Sequence, residues 1–473
     1  MIPLPLRLVA QLAGGGLADV PDPERPVTGP VVADSRQVTP GGLFVAIRGA
    51  RVDGHAFAEQ AVSAGAVAVL ADHPVGVPAI IVDDTVRGLG RLAHGYLDLL
   101  PDPVVIGITG SSGKTSTKDL GAQVLARLGP TLAPTGSLNT EVGLPLTVLR
   151  ADRDTRFLVL EKSARGVGHI AYLCRIAPPR IGVVLNVGSA HLGEFGSREA
   201  IAQAKGELVE ALPADGTAVL NADDPLVLGM RHRTRARVVT FGTSADADVR
   251  ATEIMTDATA RPSFRLCFPD GAGLPVALQM HGVHHVSNAL AVATVAWVLG
   301  LGAEEIADAL REARPLSRWR MEVTTRDDGV TVINDAYNAN PESMTAALTA
   351  LAAATAARRI AVLGPMAELG PAAPAAHAEV GETAARVGVD WLIVVGADAT
   401  PIADGARRGG LAAEAVTVVP DAAAATALLT PALRAGDVVV IKASRSYGLE
   451  QVAAALLAQT PAVTSPVAEG SGR

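Results

Sequence analysis

GITGSSGKTSTK, residues 107–118, lies between an apolar run and an amphipathic one. Val104–Ile108 reads as a short buried strand, and Thr115–Leu128 carries apolar residues at helical spacing. That strand–loop–helix context is what a phosphate-cradling loop requires. Backbone N–H groups from Ser111 to Lys114 are expected to face phosphates, Lys114 to neutralise them, and the Thr115 hydroxyl to hold Mg2+. Gly110, Ser111, Ser112, Gly113, Lys114, Thr115 and Ser116 are therefore candidate nucleotide contacts. The match is to a short form: a general GxxxxGKS/T loop needs glycine at 108, where this chain has isoleucine, leaving TGxxGKT.

With 473 residues, the chain has room for three domains at about 150 residues each. Its 19% of charged residues and net charge of -8 give no global basic field for nucleic acid or an anionic membrane. Acidic small substrates must then be held by local clusters. Cys174 and Cys267 stand far apart in apolar runs, as reduced thiols of a cytoplasmic protein do. The N-terminal MIPLPLRLVAQLA lacks a basic first segment and is interrupted by Arg7 and Gln11, so it reads neither as a signal peptide nor as a span. Residues 286–301 form the most apolar helical run and are too short to cross a bilayer. A monomer without a membrane span is expected.

Outward from the loop, the pattern is α/β throughout. In residues 1–100, the pieces GLFVAI, AVAVL and AIIVDD alternate with alanine-rich helical ones, a small α/β N-terminal domain. Residues 101–317 form a central P-loop mononucleotide-binding domain whose strands VVIGIT, RFLVLE, RIGVVLNV, TAVLNA and RVVTFG each end at a loop, the pattern of a parallel sheet. REARPLSRWR, residues 311–320, breaks the helical pattern as a hinge. Residues 318–458 alternate again, through VTVIND, RRIAVLG, DWLIVVGAD and GDVVVIKAS, and predict a C-terminal Rossmann-like doubly wound domain without a second P-loop. Residues 459–473 hold too little apolar content to pack and read as a disordered tail.

Glu161 ends one predicted strand, and His191, in NVGSAHLGEFGS, follows the next. Each has a plain reading, a strand-end carboxylate and a loop histidine, but beside the P-loop threonine they make a Mg2+ site. Lys205, taken alone, is a solvated helix lysine. The order GITGSSGKTSTK, Glu161, NVGSAHLGEFGS, AKGEL resembles the central domain of the Mur ligases, ATP-dependent amide-forming enzymes of peptidoglycan synthesis. The resemblance implies that Glu161, His191 and Lys205 are metal ligands and that Lys205 is carbamylated by CO2. It extends over roughly residues 30–455. GVHHVSNALAVATVA is similar to the segment that contacts the nucleotide, with His284 and Asn288 at the matching positions. INDAYNANPESM is similar to D-x-Y-N-x-N-P-x-S, which closes over ATP and brings Asp335, Tyr337, Asn338 and Asn340. Without the resemblance that asparagine cluster reads as a strand-to-helix turn with Pro341 early in the helix.

Within the family, four segments look most like the branch that adds D-alanyl-D-alanine to UDP-N-acetylmuramoyl-tripeptide: DSRQVTPGGLFVAIRGARVDGHAF, LNTEVGLPLTVL, ARGVGHI and LGPMAELG. That likeness makes Ser35, Arg36 and the Asp53-Gly54-His55 turn contacts of the uridine nucleotide, with Arg36 pairing a pyrophosphate, and it puts Asn139 and Thr140 on the muramoyl peptide. Lys162-Ser163 replaces the family's M-G, His285 an asparagine, and Pro365 an aspartate. Lys162 brings a charge close to the expected metal site, and Pro365 removes a carboxylate that could orient substrate. The rival readings are another Mur-type ligase, a folylpolyglutamate synthetase, or, in a different class, a P-loop kinase or regulatory ATPase. The histidine and lysine after the loop speak against the last, and the long segment ahead of the loop against the folate enzyme.

Overall fold

The computed structural model describes residues 1–49, 52–189, 192–271 and 273–458. The chain folds as two compact units, one of Met1–Met255, Ser263–Gln279 and His284–Ser317, the other of Thr256–Pro262, Met280–Val283 and Arg318 onward. His191 and the tail residues 459–473 lie outside the described residues.

Besides a short antiparallel pair, Leu4–Pro5 with Pro26–Val27, the first unit holds two main sheets among the described residues. The smaller runs in the order Gly16–Ala18, Ala79–Ile81, Ala68–Ala71, Leu43–Val45, Val31–Val32, parallel except for its first strand. The larger has nine strands, ordered Gly273–Ala277, Pro262–Cys267, Val249–Thr256, Arg237–Gly242, Thr217–Asn221, Ile181–Val184, Val104–Thr109, Phe157–Glu161, Thr131–Leu132. The five strands expected from the sequence pair in parallel at its centre. They are nearly continuous apolar runs because helices cover both faces. Pro262–Cys267 and Gly273–Ala277 add an antiparallel pair, and the first of these alternates buried and more exposed residues, as a strand with one solvated face does. These edge strands carry no loop signal that ties them to the nucleotide sheet.

No break in the core marks residue 100. Leu89, Leu92 and Tyr96 of the helix Thr85–Leu97 share one hydrophobic cluster with Leu144, Val148, Leu158 and Leu160 of the nucleotide-binding part. The Tyr96 hydroxyl accepts from Ile2 N at 2.8 Å and donates to Ala151 O at 2.5 Å, so its buried polar end is satisfied.

The second unit is a six-stranded sheet ordered Glu322–Thr325, Thr331–Asn334, Asp437–Lys442, Arg358–Leu363, Trp391–Val395, Val416–Val419, parallel after its first strand. Along Asp437–Lys442, Val438 and Val440 enter one core and Val439 and Ile441 the other. Both faces are covered, the doubly wound arrangement, and each such side chain contributes about 1.5–3 kcal/mol by leaving water. Among the described residues no helix is long and apolar enough to cross a membrane.

Candidate active site

The strand Val104–Thr109 runs between Phe157–Glu161 and Ile181–Val184, with Glu161 in register with Ile108 and Val184 with Thr109. Their carboxyl ends therefore open on one edge, where nucleotides bind in such sheets. From that edge the chain turns through Gly113 into the helix Lys114–Leu125. Gly113 has φ of +81°, and a Cβ there would meet Asn288 Oδ1 at 2.6 Å, so conformation and space both require glycine. No side chain caps this helix, which leaves its first turn as an anion-binding end.

Asn186 organises the loop from the neighbouring strand end. Its Oδ1 accepts from Ser111 N at 2.9 Å and Ser112 N at 3.0 Å, and its Nδ2 donates to Ser112 O at 3.3 Å. Gly188 N donates to Ser111 Oγ at 2.8 Å. Two of the N–H groups expected on phosphates are thus directed to an asparagine that its sequence context does not single out. Lys114 Nζ donates to Gly110 O at 2.6 Å, folded across the loop, while Thr115 is buried and Ser116 half-buried.

Glu161 is fully buried. Its Oε2 accepts from Asn139 Nδ2 at 3.1 Å, and its Oε1 has no partner among the described residues. A buried carboxylate oxygen without a donor is costly unless something binds it, and a hard cation that takes oxygen ligands suits that oxygen. Asn139, expected on the peptide substrate, here holds the carboxylate; Thr140 is exposed, its hydroxyl accepting from Gly143 N at 3.5 Å.

Lys205, on the helix Arg198–Glu210, is buried, which corrects its reading from composition as a solvated lysine. Burial, and secondarily the Lys114 charge, hold its ammonium well below the usual lysine range. A neutral amine is the form that can add to CO2. Two residues on, Glu207 accepts from Gly168 N at 2.5 Å and Ala171 N at 2.9 Å, fastening the start of the helix His169–Ile176.

In the second unit, Asp335 and Lys442 form a buried pair at 2.5 Å, and Lys442 also donates to Asn338 O at 2.9 Å. Asp335 Oδ1 accepts from Met321 N at 3.0 Å. Tyr337 lies under Arg320, whose guanidinium carbon is 4.2 Å from the ring centroid. Asn340 caps the helix Pro341–Ala353 in a capping box with Ser343. The asparagine cluster is thus a strand-to-helix turn in this structure, as its residues alone suggest, and Lys442 is its unanticipated anchor.

Comparison with known proteins places this geometry. Residues 30–94 match the Mur ligase family catalytic domain, 108–296 the Mur ligase middle domain, and 319–445 the Mur ligase glutamate ligase domain. The chain belongs to the Mur ligase family. The UDP-N-acetylmuramoyl-tripeptide--D-alanyl-D-alanine ligase of Mycobacterium tuberculosis is 50% identical to it, over 97% of this chain and 98% of that one. The Escherichia coli ligase of the same name is 36% identical over 90% and 93%. Among solved structures, MurF from Acinetobacter baumannii superposes with a TM-score of 0.88 at 30% identity, covering 97% and 99% of the two chains. MurF from Thermotoga maritima, solved in complex with ADP, gives 0.80 at 31%, covering 91% and 97%.

Against this Mur ligase background two of the three departures have visible side-chain roles. Lys162 turns into the core: its fully buried Nζ donates to Leu173 O and Ala177 O, each at 2.9 Å, at the end of the helix His169–Ile176. His285 Nδ1 lies 3.3 Å from Asn288 Nδ2, and Asn288 Oδ1 accepts from Thr117 Oγ1 at 3.2 Å, so this pair braces the P-loop helix; His284 packs on His285 at 4.3 Å. Pro365 accepts from Ser444 N at 2.9 Å through its main-chain carbonyl, a bond open to any residue, and nothing in the structure explains the proline.

Of the uridine-side candidates, Ser35 and Arg36 sit in a short turn capped by Asp34. The Arg36 side chain is 83% exposed and its charge is met by Asp34, through Nε at 2.9 Å and Nη2 at 2.7 Å. Those bonds draw the Asp34 carboxyl down to about 2. Asp53 caps the turn that holds Gly54 and a buried His55, accepting from His55 N at 3.0 Å. A Cβ on Gly54 would lie 2.7 Å from both Ile47 N and O, so the turn is pressed against backbone.

Proposed function

We propose that this chain is an ATP-dependent ligase that joins D-alanyl-D-alanine to UDP-N-acetylmuramoyl-tripeptide, a cytoplasmic step of peptidoglycan synthesis. The observation that carries the chemistry is the juxtaposition, at one sheet edge, of a phosphate-binding helix end and a buried carboxylate with an unpartnered oxygen. The substrates follow from the near full-length likeness to ligases that bear that name.

Amide formation in water is uphill, so the tripeptide carboxylate is activated first. One of its oxygens attacks the γ-phosphorus of ATP, the bond to the β-phosphate oxygen breaks, and an acyl phosphate and ADP result. The dipeptide amine, having lost its proton, then adds to the acyl carbon, and phosphate leaves from the tetrahedral intermediate. Lys114 and the N–H groups of the helix start oppose the charge that develops on the transferring phosphoryl group. Glu161, Thr115 and Lys205, the last as its carbamate, would hold Mg2+, which supplies further neutralisation of the phosphates. Asn139 orients Glu161, and Asn186 sets the loop.

The test is ADP release by the full chain with ATP, Mg2+ and each substrate in turn. Release that needs both the UDP-muramoyl-tripeptide and D-alanyl-D-alanine is expected. Equal turnover without the dipeptide, or with a free amino acid in its place, would point to an ATPase or another Mur-type ligase.

A further inference from the structure

Three side chains of types that can ligate a metal, His55 in the turn 54–57 and Asp72 and His73 just after the strand Ala68–Ala71, converge in the N-terminal part of the first unit. His55 Nε2 lies 3.2 Å from Asp72 Oδ1, and His73 Nδ1 lies 2.5 Å from the same oxygen. The two rings stack with centroids 4.5 Å apart. One donor atom from each residue falls within 4.8 Å of the others. We infer that His55, Asp72 and His73 form a binding site for a late first-row divalent ion of the Zn2+ type, joining the 53–55 turn to the end of the strand Ala68–Ala71.

The donor set supports this, and so does one of the spacings. A tetrahedral Zn2+ with bonds of about 2.0–2.1 Å separates its ligand atoms by about 3.3 Å; His55 Nε2 and Asp72 Oδ1 stand at 3.2 Å, whereas His73 Nδ1 is hydrogen-bonded to Asp72 Oδ1, and an ion would replace that bond. Two imidazoles and one carboxylate favour Zn2+ and its neighbours over Mg2+ or Ca2+, which take oxygen. An outer layer is also present. His55 Nδ1 is 2.6 Å from Asp53 Oδ1, which assigns the ring proton to Nδ1 and leaves the Nε2 lone pair to accept from Asp72 N at 3.4 Å, a long bond that an ion would replace. A carboxylate behind a histidine is how metal-binding imidazoles are oriented. Arg48 stands on the far oxygens, with Nε 3.3 Å from Asp53 Oδ2 and Nη2 3.8 Å from Asp72 Oδ2, and offsets the surplus negative charge without occupying Asp72 Oδ1.

His55 is the buried anchor at 6% side-chain exposure, whereas His73 is 50% exposed and can be removed without opening the core. The inference rests on ligand chemistry alone and stands or falls separately from the ligase reading. Metal-stripped full-length chain, held in excess Mg2+ to fill oxygen sites, is titrated with Zn2+ against a chromophoric chelator. The wild type is expected to take one equivalent more than His73→Ala, and Asp53→Asn to bind that equivalent about 10- to 100-fold more weakly. Co2+ in place of Zn2+ should give visible d–d bands in the wild type that His73→Ala and Asp72→Asn lack. Equal stoichiometry and equal Co2+ spectra in all four proteins, each folded by circular dichroism, would overturn the site and leave a hydrogen-bonded Asp–His cluster only.

Discussion

Asn139 donates its side-chain N–H to Glu161 Oε2 at 3.1 Å, across 22 residues of sequence, and so fixes which carboxylate oxygen remains for another partner. If that is its role, Asn139→Ala should lower kcat about 10- to 100-fold and raise the Mg2+ concentration needed for half-maximal rate, as loss of an outer-shell partner does. A Mg2+ titration at saturating substrates checks this. A rise in KM for the muramoyl peptide with unchanged Mg2+ dependence would instead make Asn139 a substrate contact.

Asn186 occupies two loop N–H groups, and two outcomes separate organiser from competitor. Each hydrogen bond is worth about 0.5–1.5 kcal/mol net. An organiser predicts that Asn186→Ala weakens ATP binding about tenfold, or about 1.4 kcal/mol, by calorimetry. Tighter binding in the variant would mean that the asparagine merely holds the place of a phosphate.

Lys205 is buried with its ammonium disfavoured, the condition for carbamate formation. Lys205→Ala should lose most of its activity and regain part of it with added formate or acetate, which return a carboxylate to the space. Full activity without rescue would refute a carbamate ligand.

Lys162 gives a stability prediction. Burial lowers its pKa below the ordinary lysine value of 10.5. A neutral amine retains two N–H donors, matching the two carbonyls it meets. Between the depressed folded value and 10.5 the unfolded chain binds more protons, so the stability that Lys162 confers must rise with pH in that window and be smallest below it. Lys162→Met strands the Ala177 carbonyl at a cost of about 1–3 kcal/mol, while Leu173 O keeps Ala177 N at 3.2 Å. Urea unfolding from neutral to alkaline pH should show the wild type gaining on the variant, with ATP binding unchanged. A pH-independent difference would mean that Lys162 titrates alike in the folded and unfolded chain, so that burial leaves it charged.

These pairings mark the limit of what the sequence disclosed. The P-loop was legible because its strand, glycines, lysine and helix are contiguous, and Glu161 because it ends an apolar strand next in the sheet. Lys205 needed the family resemblance, since nothing local distinguishes a buried helix lysine from a solvated one. Asn186 and Lys442 were passed over because their partners, Ser111 and Asp335, lie 75 and 107 residues away. The pairing of Arg36 with Asp34 is local, yet an Asp-x-Arg triplet does not say whether the arginine faces its neighbour or a ligand. The shared core around Tyr96 left no mark either, because an apolar helix face looks the same whichever sheet covers it.

The most direct measurement follows an oxygen atom. With the tripeptide carboxylate labelled in 18O, and both D-alanyl-D-alanine and ATP supplied, one labelled oxygen should appear in the released phosphate and the other in the new amide. Unlabelled phosphate would mean that water, and not the carboxylate, attacks ATP, and the acyl-phosphate account would be wrong.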